Sequence, residues 1–182
     1  MARILRAASR ALLGATLWLV AQPAAGAGES LEYAVKAAFI ARFPPFVTWP
    51  AGAVGPGPFS VCLLGEAPFN GALEQAVRSQ AFGERPMVMR RLQAVTPADG
   101  CQVLYIGRSA AQSPKAALAV VQGRPILTVT DESEGVEGGI VHFLLIGGRV
   151  RFAIDSHAAR ASGLAISSKL LDLAVNQRLV EP

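Results

Sequence analysis

The sequence predicts a single α/β domain: a mixed sheet of about six strands with helices on both faces, closed by a C-terminal hairpin and a helix. Three observations predict it. Short continuous apolar runs, several of them ended by glycine, mark strands buried on both sides. Between them lie segments with apolar residues at helical spacing. Near the end, Gly147-Gly148 separates two strand-like runs. Two adjacent glycines supply the positive φ angles of a tight hairpin turn.

Taken in order, Ser30 to Phe43 reads as a helix with Leu31, Val35, Ala38, Phe39 and Phe43 as its apolar stripe. Pro44-Pro45 stops it, because proline lacks the N–H a helix interior needs and restricts the residue before it. Phe46 to Pro50 is a short extended or single-turn segment, and the glycines and prolines of Ala51 to Pro58 make a loop. Phe59 to Gly65 has the continuous apolar character of a central strand. Asn70 to Ser79 is a helix, and Pro86 to Leu92 a more polar strand that belongs nearer an edge. Gln102 to Ile106 is a third strand. Ser113-Pro114 opens a helix to about Gln122, with proline in its favoured first turn. Pro125 to Thr130, Ile140 to Ile146 and Arg149 to Asp155 are strands. A last helix runs from Ser167 to Gln177, with Ser167 or Ser168 as its N-cap.

The first residues set the compartment. Arg3, Arg6 and Arg10 precede an apolar run, Ala11 to Ala21, and small residues follow up to Ala25-Gly26-Ala27. This is the pattern of a secretory signal peptide over residues 1–27, cleaved after Ala27. The apolar run falls short of the roughly 20 residues a membrane-spanning helix needs. Residues 28–182 then form the domain, located in the periplasm. Without three of the 17 basic residues, 14 face 13 acidic ones. The basic balance of the full chain is therefore no argument for nucleic acid as a partner.

Cys62 and Cys101 are the two cysteines. In an oxidising compartment an even pair reads as a disulfide, the alternative being two buried thiols. Closing a loop of that length stabilises by roughly 4 kcal/mol in the chain-entropy model. Cys62 lies three residues before Gly65 and Cys101 six before Gly107. If their strands are parallel neighbours with level ends, the cysteines are offset by about 10 Å. A relaxed disulfide wants Cα atoms about 4.4–6.8 Å apart. Either the register differs, or the backbone adjusts at the start of the third strand.

Catalytic patterns are weak. Gly65 to Gly71 lacks the glycine spacing of a nucleotide-binding turn. Asp155-Ser156-His157 has the residue types of a hydrolase triad, but adjacent residues cannot adopt that geometry. His142 reads as a sheet residue, and two histidines without a ligand-spaced cluster make a metal site unexpected. Asp131, Glu132, Glu134 and Glu137 read as a solvated loop. Two groups suit binding instead. Arg149, Arg151 and Asp155 share a strand face by period 2, with His157 and Arg160 on the next turn. They read either as an exposed polar face or as an anion or partner site with arginine as the bidentate element. Leu170, Leu171, Leu173 and Val175 make the last helix apolar on most faces. Such a helix is buried or meets another chain, such as a second copy in a homodimer.

Several blocks carry a family resemblance. They are Tyr33-x-x-Lys36-Ala37-x-Phe39 with Trp49-Pro50, Val61 to Gly65, Cys101 to Gly107, and the stretch from Arg151-Phe152 through Ile166-Ser167-Ser168 to Leu173-Ala174. In order and spacing they closely resemble the YfiR/HmsC-like family of periplasmic proteins, over about residues 30 to 176. The resemblance implies a non-enzymatic regulator without a cofactor. Its partner would be an inner-membrane diguanylate cyclase, bound at the periplasmic sensor domain and held off, which restrains cyclic-di-GMP synthesis and biofilm formation. It further implies that the redox state of the cysteines is part of the signal, Cys62 and Cys101 matching the family's pair. Some members carry a second pair near the final hairpin, and this sequence has none there. The alternative is a periplasmic module that binds a small ligand and serves another membrane sensor or a transporter.

Overall fold

The computed structural model describes residues 25–175, with side chains from Leu31 onward. Residues 1–24 of the expected signal peptide, and the end of the expected last helix beyond Val175, lie outside them.

The first helix, α1 (Ala25–Arg42), leads into a 3-10 turn at Pro44–Phe46 and a two-residue strand, β1 (Val47–Thr48). Then follow β2 (Phe59–Leu64), α2 (Ala72–Arg78), β3 (Ala81–Phe82), β4 (Arg85–Leu92), β5 (Val103–Ile106), α3 (Pro114–Val121) and β6 (Leu127–Asp131). The hairpin is β7 (Val141–Ile146) and β8 (Arg149–Ile154). The chain continues through α4 (Ser156–Ala161), β9 (Ala165–Ile166) and α5 (Ser168–Leu171).

Seven strands form one curled mixed sheet in the order β3-β4-β2-β5-β6-β7-β8. The inner five are parallel, while β3 and β8 run antiparallel at the two edges. Every residue of β2, β5 and β6 is buried, as an apolar run covered on both faces requires. The more polar β4 has only the two-residue β3 outside it. Leu73 and Val77 of α2 join the core on one face, with α1. Ala117 and Val121 of α3 join Cys62, Leu64, Leu104 and Ile106 on the other. Helices on both faces of a mixed sheet match the expectation. The additional strand is β3, too short to show in an alternation pattern.

Other elements depart from the sequence reading for local reasons. The buried face of α1 is Tyr33, Lys36, Ala37, Ile40 and Ala41, while Leu31 and Val35 are exposed. The true stripe contains a lysine, so an apolar pattern search settles on the neighbouring one. The short helix α4 begins at a strand end because Asp155 caps it, accepting from His157 N at 2.9 Å and Ala158 N at 2.8 Å. Ser167 caps α5 as expected, but that helix has four residues rather than running on to Gln177. After it the chain turns back to the sheet, where Val175 N donates to Phe152 O at 2.9 Å. The separate pair β1–β9 is antiparallel, Val47 opposite Ile166.

The disulfide joins Cys62 and Cys101. Register places Cys62 opposite Leu104, so the three-residue offset inferred from level strand ends is real. The Cα atoms are nonetheless 5.8 Å apart, inside the usual range for a relaxed bond. Cys101 precedes β5 and follows Gly100, whose φ is +65°. The chain turns there and brings Cys101 back over the face of β2.

Two glycines test how tightly the parallel strands close. Gly65 has φ +74°, and a Cβ there would lie 2.1 Å from Arg108 O. Gly147 has φ +58° and open space around it. Gly65→Ala is expected to destabilise by more than about 3 kcal/mol, through strain and a backbone clash. Gly147→Ala should lose about 1 kcal/mol, from the positive φ alone. Urea denaturation of the two variants checks the contrast.

Candidate functional site

The chain runs from β2 outward to β4, then returns across β2 to β5. The strand order therefore reverses at the β2–β5 boundary, and such reversals leave a crevice at the carboxyl ends of the strands. A crevice of about 710 Å³ opens there. It is lined by the loop after β2 (Gly65 to Pro68), Gln93 after β4, Arg108 to Ala110 after β5, and Glu134 after β6. The two central loops meet through main chain: Glu66 N donates to Arg108 O and Gly107 N to Leu64 O, both at 3.0 Å. Gly107 is confined as well, since a Cβ would come within 2.9 Å of Glu66 O. Arg108 Nε donates to Glu134 O at 2.8 Å, which ties the β5 loop to the turn after β6.

Behind this crevice lies a buried polar network. Lys36 of α1 and Asp131 at the end of β6 are both fully buried. The Lys36 ammonium donates to Asp131 Oδ1 at 2.8 Å, to Ser133 Oγ at 3.2 Å and, in a short contact, to Glu32 Oε1. Its three N–H bonds are thereby used. It also lies 4.6 Å from the centre of the Tyr33 ring. Tyr105 of β5 donates to Asp131 Oδ2 at 2.9 Å, and Tyr33 donates to Glu134 Oε1 at 2.7 Å. Burial foremost, and the neighbouring carboxylates after it, push both phenols above their ordinary range, so they act as donors. Glu32 is held below the usual carboxylate range: burial works against its charge, but bonds from Lys36 and Ser133 and the Lys36 charge outweigh it.

The acidic loop is thus only partly solvated. Glu132 and Glu137 are exposed, but Asp131 is the buried counter-ion of a lysine. The sequence around Asp131 carries no sign of that partner, which lies 95 positions away.

The five residues of the proposed anion or partner group fall in separate places. Arg149 and Arg151 are exposed on the edge strand β8. They border a groove of about 590 Å³ with Leu31, Val35 and Phe39 of α1 and Leu145 of β7. Asp155 has left the strand and caps α4. His157 lines a different cleft with Lys115, between α3 and α4, and Arg160 is exposed on α4. Of the apolar group, Leu170 is buried, Leu171 and Leu173 are exposed, and Val175 is half-buried.

The arrangement is that of a doubly wound α/β domain with a crevice at the strand reversal, a cross-linked face and an apolar groove along one edge. The matching sequence profile is that of the YfiR/HmsC-like family, over residues 33–175, and the chain belongs to that family. No curated protein matches the sequence. Among the described residues, no helix is long and apolar enough to cross a membrane.

Replacing Lys36 by Met should destabilise by about 3–5 kcal/mol, because Asp131 is left as an uncompensated buried charge. Adding Asp131→Asn should recover part of that loss, so the two changes together cost less than their sum. Chemical denaturation of the singles and the double measures the coupling.

His142 supplies a pH test. Half-buried and 3.0 Å from Thr130 Oγ1, it is held below the ordinary histidine range chiefly by burial, against the pull of nearby carboxylates. A depressed folded-state pKa means that protonation favours the unfolded chain. Stability is then full above about pH 6.5, the unfolded value, and falls as pH drops through the folded value. Glu32 adds a further loss at lower pH, as its carboxylate is protonated. His142→Gln should flatten the upper part of this decline, read from urea midpoints between about pH 7.5 and 5.

Proposed function

We propose that this protein is a periplasmic regulator, exported by a signal peptide cleaved after Ala27, that represses an inner-membrane diguanylate cyclase through its periplasmic sensor domain. Family membership across residues 33–175 carries the reading. The bonded cysteines support it, since a disulfide suits an oxidising compartment. The mechanism is stoichiometric. The bound complex favours the inactive state of the cyclase, by as much as the regulator prefers that state. No covalent step on a substrate is involved.

The crevice at the strand reversal favours a second reading, a module that binds a small ligand. Its volume is in the range of small-molecule sites, and Arg108, Glu66 and Glu134 give it both signs of charge. The two readings join if a ligand there sets the affinity for the membrane partner.

Deleting the gene should raise cellular cyclic-di-GMP and surface attachment, and the wild-type gene should restore both. Unchanged cyclic-di-GMP would overturn the cyclase reading. Cys62→Ser with Cys101→Ser should lower stability by up to about 4 kcal/mol and weaken repression. Denaturation of the purified variant and cyclic-di-GMP measurement in the complemented strain check the two effects separately.

A further inference from the structure

We propose that the free edge of β8, with the groove between it and α1, is a docking site for a short extended segment of another protein whose side chains alternate apolar and acidic. This rests on the reading of the protein as a partner-binding regulator, and it gives the chemistry of the segment that is bound.

The edge is directional. Val175 N donates to Phe152 O from outside the sheet, so the main-chain groups of Phe152 turn away from β7. In an antiparallel pair every second residue is oriented this way, so Val150 also presents its N–H and C=O outward. The hairpin agrees. Its two-residue Gly147-Gly148 turn makes Ile146 and Arg149 the closing pair, bonded to each other, and leaves Val150 unbonded to β7. No described residue takes the Val150 groups from outside. Because Val175 already occupies Phe152, the edge left open by the described residues runs from Gly148 to Arg151, enough for a strand of about four residues.

The two faces of that edge differ in chemistry. On the α1 side lie Leu31, Val35, Leu145 and Val150, with Leu31 67% and Leu145 43% exposed. On the other face, by strand alternation, stand Arg149 and Arg151, with Ile146 opposite Arg149, and the two arginines reach the rim of the groove at the strand edge. Both are exposed, and neither has an ion-pair partner among the described residues. Glu32, the acid bordering the groove, is committed to Lys36 and Ser133. A strand added here places alternate side chains in the groove and the others beside the arginines. Apolar residues suit the first set and Asp or Glu the second.

A second copy of this chain fits poorly. Antiparallel pairing of β8 with itself about Val150 sets Arg149 opposite the partner's Arg151, and like charges directly opposite are destabilising.

The test uses the mature protein and a fluorescein-labelled synthetic heptapeptide, Thr-Val-Glu-Val-Glu-Val-Thr, read by fluorescence anisotropy. A second peptide carries Lys in place of Glu. The wild type should prefer the acidic peptide. Arg149→Glu with Arg151→Glu should weaken it by about tenfold or more and reverse the preference. Val150→Pro removes one outward N–H and leaves the β7–β8 ladder intact, since proline is tolerated on edge strands. It should also lose about tenfold, with an unchanged circular dichroism spectrum. No binding by the wild type, or binding unaffected by both changes, overturns the proposal. So does a wild-type dimer in light scattering that the same changes dissociate, which would make a second copy the occupant. Tight binding only by a chain ending at Val175 overturns it too, by showing that the protein's own tail fills the edge. The peptide assay needs no cyclase, so the two readings fail separately. A cyclase repressed equally well by the arginine-to-glutamate variant removes this docking site and leaves the regulator reading standing. Intact peptide binding without any effect on cyclic-di-GMP does the reverse.

Discussion

The buried contact between Lys36 and Asp131 is the constraint on which the arrangement of this domain depends. An ammonium out of water is tolerable only with opposite charge and hydrogen bonds around it. Here those come from α1 itself, through Glu32, and from the end of β6, through Asp131 and Ser133. The helix is thereby held at one rotation and one height against the sheet. With Lys36 inward, Tyr33, Ala37, Ile40 and Ala41 enter the core. The opposite consequence is that Leu31 and Val35 stay in solvent beside the edge strand. Apolar packing alone would allow either face inward, and the ion pair decides between them.

The same contact organises the carboxyl edge of the sheet. Asp131 receives Tyr105 from the neighbouring strand, and Tyr33 reaches Glu134 in the turn that follows. That turn receives Arg108 from the loop after β5. A chain of charge-assisted bonds thus runs from the first helix to the mouth of the crevice. Any partner or ligand that displaced Glu134 would act on α1 through two side chains.

Much of this fold is legible in the sequence, and the exceptions share a cause. The runs Phe59 to Leu64, Val103 to Ile106 and Leu127 to Thr130 announce buried strands because they carry no charge and their few hydroxyls, on Ser60, Tyr105, Thr128 and Thr130, are small in number against the apolar residues around them. The Gly147-Gly148 turn is equally direct. What escaped are features decided by distant partners or by very few residues. Asp131 stands next to Glu132 and Glu134 and looks like part of a solvated run until Lys36 is placed beside it. The strands β1, β3 and β9 have two residues each, too few for any period. The last helix stops early because the main chain bonds to β8, which apolar spacing does not record. Of the residues singled out for binding, Arg149 and Arg151 do share one face. Asp155 belongs to the cap of a helix, and His157 to another cleft.

The cross-link has a topological consequence. The 39-residue span between Cys62 and Cys101 encloses α2, β3 and β4, the outer wing of the sheet beyond β2. The cysteine bond makes that wing a closed ring hung on the central strand, while α1, β6, β7 and β8 lie outside the ring. Opening the bond leaves the wing attached to the rest through the β2–β4 ladder and the packing of α2 on α1. Loosening would therefore be felt first at the amino end of β5, where Cys101 shares a cleft with Val95, Thr96 and Gly100. The ion-paired half on the other side keeps its own fastenings. The cross-link and the charge pairing thus fasten opposite ends of the sheet.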